Sequence, residues 1–200
     1  MEMKGIVFSE PMVRAWLAGR KTVTRRIMNP QPYFVESSGR WCWKVPRKGL
    51  VAGDTVCDAS RRWWEYLPPN CTPYRPGETV YIKETWGNVK EGNRIVYKAD
   101  FTDGESLAAF KQHGYKWKSP RFMPEWASRG HIIIGDVRPE RVQEITEEEA
   151  KREGVTLFSF NGQSIATKDY LTAFRWLWDT LHPGSWQENP WVWRIELEAV

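Results

Sequence analysis

Along this chain, short runs with β-strand character mix with short helical patterns, and no strand–helix–strand unit repeats. Strands without regular helical crossovers predict an α+β protein rather than a doubly wound parallel sheet. A length of 200 residues suits one domain carrying an elaboration. Residues 4–8 read as a first strand. A helix follows from Pro11, with Met12, Val13, Trp16 and Leu17 on its apolar face and Gly19 beyond its end. After a turn at Pro76-Gly77-Glu78, the spacing predicts strands over Thr79–Trp86, Arg94–Lys98, His131–Val137 and Trp191–Leu197, the last by alternation. Residues 100–130 read as irregular apart from one short helix around Leu107–Lys111. Thr146 and Glu149 form a capping-box pattern for a short helix closed by Gly154. A longer helix is expected over Asp169–Leu181, with Leu171, Phe174, Trp178 and Leu181 facing the core.

Residues 28–76 differ in character, holding many of the prolines, Cys42, Cys57 and Cys71, and the tryptophans Trp41, Trp43, Trp63 and Trp64. They read as an insertion with little regular structure, packed by its aromatic rings onto the main body. A connection this long is uncommon unless it serves a site. Tryptophan is the compositional outlier, at 13 of 200 residues, and such rings build a core or a stacking surface for a flat ligand. Core packing accounts for most of them. Three cysteines without a CxxC pair do not read as a disulfide framework, and their wide spacing is poor for structural zinc.

The net charge of +4 is mild, and the cations are interspersed with acids. That permits RNA as a partner but lacks the dense basic stripe of a dedicated duplex binder. No stretch approaches the length of a membrane span and no signal-peptide pattern opens the sequence, so no membrane partner and a cytoplasmic location are expected.

Phosphate-cradling glycine loops, zincin motifs and nucleophile elbows are missing from the sequence, and His113, His131 and His182 are scattered. Chemistry must therefore come from lysine, threonine and carboxylates. The segment Gly19-Arg20-Lys21-Thr22-Val23-Thr24-Arg25-Arg26 offers that combination. A lysine whose pKa is lowered by burial or by neighbouring cations acts as a base, and a nearby threonine hydroxyl serves as nucleophile or positions a water. The residues alone leave a plainer alternative open, in which Lys21 and the arginines form a solvated strand edge. On a straight strand, Lys21 and Thr24 point to opposite faces, so they cooperate only where the chain turns between them.

The Gly19–Arg26 segment after a short helix resembles the signature of the ASCH family. The likeness continues in order through Pro76–Ile82, Ile145–Glu153 and the terminal Trp191–Glu196. Lys83-Glu84-Thr85-Trp86 and Met123–Arg129 are similar to the enlarged ASCH proteins of phages and prophages. The resemblance spans nearly the whole of residues 1–200 and implies a PUA-like mixed β-barrel with flanking helices, interrupted by insertions at about 28–76 and 87–130.

Some small members of the family are N4-acetylcytidine amidohydrolases. By that resemblance Lys21, Thr24 and Glu153 are the catalytic residues, and no metal or other cofactor is needed. Arg25 and Arg26 are candidates to steady an oxyanion, and Glu84 and Trp86 are candidate substrate contacts. The substrate implied is an acyl group on the exocyclic amine of a cytosine nucleoside or base. Two other readings accompany it: a non-catalytic module that binds RNA or a modified base, and a ribonuclease. Without the resemblance, Glu153 reads as a solvated glutamate at a helix end.

Overall fold

The computed structural model describes residues 3–44, 55–58, 72–89, 94–157 and 168–200. It is an α+β protein. Its centre is a five-stranded sheet in the order β1-β6-β9-β10-β2, built from β1 (Gly5–Val7), β2 (Val23–Ile27), β6 (Thr79–Lys83), β9 (His131–Arg141) and β10 (Trp191–Ala199). Strand β1 runs parallel to β6, and the remaining pairs are antiparallel. A register shift between Ile195 and Leu197 marks a bulge in β10.

Strand β9 runs on past Val137. Its pairing with β6 covers residues 131–133 only, so Pro139 lies where β9 is bonded to β10 alone and a missing N–H breaks no second ladder. Strand β10 does not alternate in burial as expected. Residues Trp191 to Ile195 are all buried, because helices and the inserted sheet cover its two faces.

Among the described residues no backbone pairing joins β1 to β2, so the strands do not close into the expected barrel. The segment leading into β2 is bonded to helix ends instead. Arg20 and Lys21 donate their N–H groups to the Ala15 carbonyl, and Thr22 donates to the Arg152 carbonyl. A side chain spans the gap between the sheet edges, with Arg26 Nη2 donating to the Val7 carbonyl at 2.5 Å.

The expectation that residues 28–76 carry little regular structure is corrected. Strands β3 (Tyr33–Val35), β4 (Arg40–Lys44) and β5 (Thr55–Asp58) form an antiparallel three-stranded sheet. Aromatic and β-branched residues at these positions favour strands despite the flanking prolines. The expected aromatic packing is present: Trp41 meets Trp191 edge-on at 5.3 Å, and Trp43 meets Trp193 at 5.8 Å. Cys42 is disulfide-bonded, against the expectation that the cysteines form no such link. Trp63, Trp64 and Cys71 lie outside the described residues.

The expected strand over Thr79–Trp86 is two strands, since Glu84 and Thr85 interrupt it before β7 (Trp86–Val89), which pairs with β8 (Arg94–Tyr97). Helix α1 (Glu10–Leu17) ends at Gly19 with φ +68°, and α2 (Gly104–Gln112) is longer than expected because Asp103 caps it through the Ser106 N–H. Helix α3 (Glu147–Arg152) starts at Thr146, whose side chain accepts from the Glu149 N–H, and ends before Gly154 at φ +86°. Helix α4 (Tyr170–Leu181) starts at Asp169, and α5 spans Ser185–Glu188. The buried face of α4 is Ala173, Phe174, Leu177 and Trp178, whereas Leu171 and Leu181 are 37% and 42% exposed. Leu171 and Leu181 lie in the first and last turns of the helix, while the buried face runs from Ala173 through Trp178.

Candidate active site

Gly19 turns the chain out of α1 with positive φ, and two backbone bonds to Ala15 hold Arg20 and Lys21 against the helix end. Lys21 therefore precedes β2 and escapes strand alternation. Its side chain runs inward and is 0% exposed. The partner is Glu153, 132 residues away at the end of α3, and Lys21 Nζ stands 2.8 Å from Glu153 Oε2. The ammonium also donates to the Glu153 and Val23 carbonyls, both at 3.0 Å. Its three protons thus meet three acceptors. The Glu153 carbonyl is an end-of-helix acceptor with no partner inside the helix, and a cation there also opposes the helix dipole. Burial pushes the Lys21 pKa down, with Arg26 and Arg25 adding to that push, while the charge and hydrogen bond of Glu153 act against it.

Arg25 also reaches Glu153, through Nη1 to Oε1 at 3.2 Å, and its side chain is 0% exposed. It donates through Nε to Glu140 and through Nη2 to Glu149, both at 2.6 Å. Strand register explains the grouping. Arg25 on β2 stands opposite Arg194 on β10, which stands opposite Arg138 on β9, two residues from Glu140. Side chains at these positions share one face of the sheet. Arg194 donates through Nε to Glu149 at 2.5 Å. The result is a buried lattice in which Lys21, Arg25 and Arg194 face Glu140, Glu149 and Glu153.

Burial raises the Glu140 pKa, and Arg25 opposes that rise. For Glu149 burial acts upward, yet the Arg194 hydrogen bond and the charges of Arg25 and Arg194 hold its carboxyl below the ordinary value. The capping box is half realised for this reason. The Thr146 side chain caps the Glu149 N–H, while the Glu149 carboxylate turns to the two arginines.

Thr24 points to the face of β2 opposite Arg25, in register with the fully buried Ile195, and is itself 1% exposed. Its hydroxyl makes no hydrogen bond among the described residues, which leaves it unengaged one residue from Val23, whose carbonyl holds Lys21. Arg26 lies on the same face as Thr24. Burial lowers its pKa, opposed by the charges of Tyr74 and Glu153. The ring of Phe8 lies 5.5 Å from Lys21 Nζ and lines the apolar side of the pair.

The other two sequence candidates make their contacts elsewhere. Glu84, 1% exposed, gives both carboxylate oxygens to Arg129, at 2.7 and 2.8 Å. Trp86, 3% exposed, lies edge-on to Trp126 at 6.0 Å and beneath Lys118 Nζ at 4.3 Å.

A cavity of about 500 Å³ opens beside the pair, lined by Gly19, Arg20 and Thr22 around Lys21 and by Lys151, Arg152 and Tyr170 around the α3 end. Lys21 and Glu153 themselves do not line it. Its size falls in the range of small-ligand sites. No cluster of three or more metal-ligating side chains occurs among the described residues. Sequence reasoning missed Glu140, Glu149 and Arg194. For Glu140 and Arg194 the available signal was charge inside strands β9 and β10, where a buried run has no other use for it, whereas Glu149 on α3 carries only a capping pattern. Comparisons with protein-family models, curated proteins and solved structures find no match to this chain.

Proposed function

We propose that this chain is a metal-independent amidohydrolase that removes the acyl group from the exocyclic amine of N4-acylated cytosine nucleosides or bases, on a PUA-like domain of the ASCH type. The observation that carries this reading is the desolvated Lys21–Glu153 pair at 2.8 Å, joined to Arg25. A lysine that burial drives toward neutrality, beside a carboxylate able to take its proton, is a general-base arrangement. The resemblance of residues 19–26 and 145–153 to the family's motifs assigns the same residues.

In the proposed reaction Lys21 first passes a proton to Glu153. The neutral amine then takes the Thr24 proton as Thr24 Oγ1 bonds to the acyl carbon. Arg26 supplies positive charge for the oxyanion. As the carbon–nitrogen bond breaks, Glu153 returns its proton to the departing exocyclic nitrogen. Water then attacks the acyl-threonine and gives its proton to Glu153, while Lys21 reprotonates the Thr24 oxygen and the acid leaves. The cytosine ring delocalises charge from the leaving nitrogen, which makes this amide easier to cleave than a peptide.

One observation favours a second reading. The Lys21 ammonium already spends its protons on Val23 and Glu153, which suits an architectural pin beneath a base-binding pocket. Absorbance-monitored conversion of N4-acetylcytidine to cytidine separates the two. Hydrolysis by the native protein, lost in Lys21→Ala, Thr24→Ala and Glu153→Ala, supports the enzyme. Absence of turnover in folded native protein refutes it.

A further inference from the structure

We propose that the surface of residues 116–126 binds single-stranded nucleic acid, with bases on Phe122 and Trp126 and phosphates on Lys116, Lys118 and Arg121. Phe122 and Trp126 are 75% and 70% exposed, more than any other Phe, Tyr or Trp ring among the described residues, where Phe34 and Tyr33 follow at 48% and 47%. Two such rings four residues apart have no packing role that uses their outer faces. The three cations are exposed, and the stretch holds one acid, Glu125. Aromatic rings interleaved with cations match the chemistry of a single strand, whose unpaired bases offer flat faces and whose backbone offers one charge per nucleotide.

An independent feature points to the same place. Trp86 is buried against Trp126, and its indole N–H has no hydrogen-bond partner among the described residues. An unsatisfied buried donor costs about 1–3 kcal/mol, a cost that an acceptor on a bound strand would relieve. Lys118 above the Trp86 ring adds a cation held in place by backbone bonds between residues 86 and 118.

The patch is tied to the Lys21 neighbourhood. Phe8, beside Lys21, donates its N–H to the Lys83 carbonyl, and Lys83 Nζ donates to the Arg121 carbonyl. The same end of the β1–β6 pair thus supports both. This surface stands apart from the hydrolysis proposal, because the test strands carry no acyl group.

The test is fluorescence anisotropy of end-labelled 12-nucleotide oligomers, as single-stranded RNA, single-stranded DNA and duplex, titrated with the full chain at several salt concentrations. Saturable binding of either single strand is expected, with a log–log salt slope of about −2 for three phosphate contacts. The stronger of the two arms identifies the sugar preferred. Phe122→Ala/Trp126→Ala is expected to weaken single-strand binding at least about ten-fold through lost stacking, with the native circular dichroism spectrum retained and only a small drop in melting temperature from uncovering the edge of Trp86. Lys116→Ala/Arg121→Ala is expected to flatten the salt slope. Failure of both single strands to bind at low salt overturns the proposal. Unchanged affinity in the ring variant, or equal binding of duplex and single strand, overturns it as well.

Discussion

Glu149→Gln isolates the buried charge lattice behind the candidate site without changing side-chain shape. Glu149 receives Arg25 Nη2 at 2.6 Å and Arg194 Nε at 2.5 Å, and the three side chains are 14%, 0% and 4% exposed. An amide retains one acceptor oxygen, so one bond is lost and in the other an arginine cation donates to a neutral oxygen instead of a carboxylate. Hydrogen bonds to charged groups contribute about 1.5–3 kcal/mol, and stripping a partner from a buried ion pair costs about 3–5 kcal/mol. Arg25 keeps Glu140 and Glu153, and Arg194 keeps Glu196, which places the loss near about 2–3 kcal/mol. Urea denaturation at neutral pH reads it as a lower midpoint at unchanged slope.

Acid supplies a second readout. The Glu149 carboxyl is held below its ordinary value of 4.5, so the unfolded chain binds the extra proton in the window between the two values. Its contribution is complete above that window and is lost as pH falls through the folded-state value. The gap between native protein and variant should therefore close in acid. A gap under about 0.5 kcal/mol at neutral pH, within the range of ordinary surface substitutions, would refute the reasoning.

Arg129→Met leaves the 1%-exposed Glu84 carboxylate unpaired and is expected to cost about 3–5 kcal/mol at neutral pH by denaturation. Burial raises the Glu84 pKa against the pull of Arg129, so the folded state binds the extra proton above 4.5 and the deficit should shrink on acidification. Gly154→Ala forces a side chain into φ +86° with its Cβ 2.6 Å from Ala15 Cβ and 3.1 Å from Lys21 Cβ. A loss of about 2–4 kcal/mol is expected from strain and overpacking together, again read by urea. Dialysis against EDTA should leave N4-acetylcytidine hydrolysis unchanged, since the proposed steps use only Lys21, Thr24, Glu153 and Arg26. A loss restored by added divalent metal would contradict those steps.

The sequence showed local features well and crossings poorly. Helix ends at Gly19, Thr146, Gly154 and Asp169 were legible because caps and positive-φ glycines are local signals. The pairing of Lys21 with Glu153 could not be derived from spacing, since 132 residues separate them and only a family likeness put them together. Glu149 reads as a capping residue because a capping box is a four-residue pattern, while its arginine partners arrive from β2 and β10. Prolines hid the β3–β5 sheet, and Pro139 hid the far half of β9, because proline signals a break where an edge tolerates it. The outer turns of α4 show the reverse error: Leu171 and Leu181 fit the period but fall outside the buried turns.

The most direct measurement is product analysis of N4-acetylcytidine incubated with the native protein and with Lys21→Met, which keeps the bulk of the lysine stem and removes its base. The account predicts cytidine and acetate in equal amounts from the native protein, and at least about a hundred-fold slower release from a variant that is still folded. Intact N4-acetylcytidine after prolonged incubation with folded native protein would contradict it, and so would undiminished release by Lys21→Met.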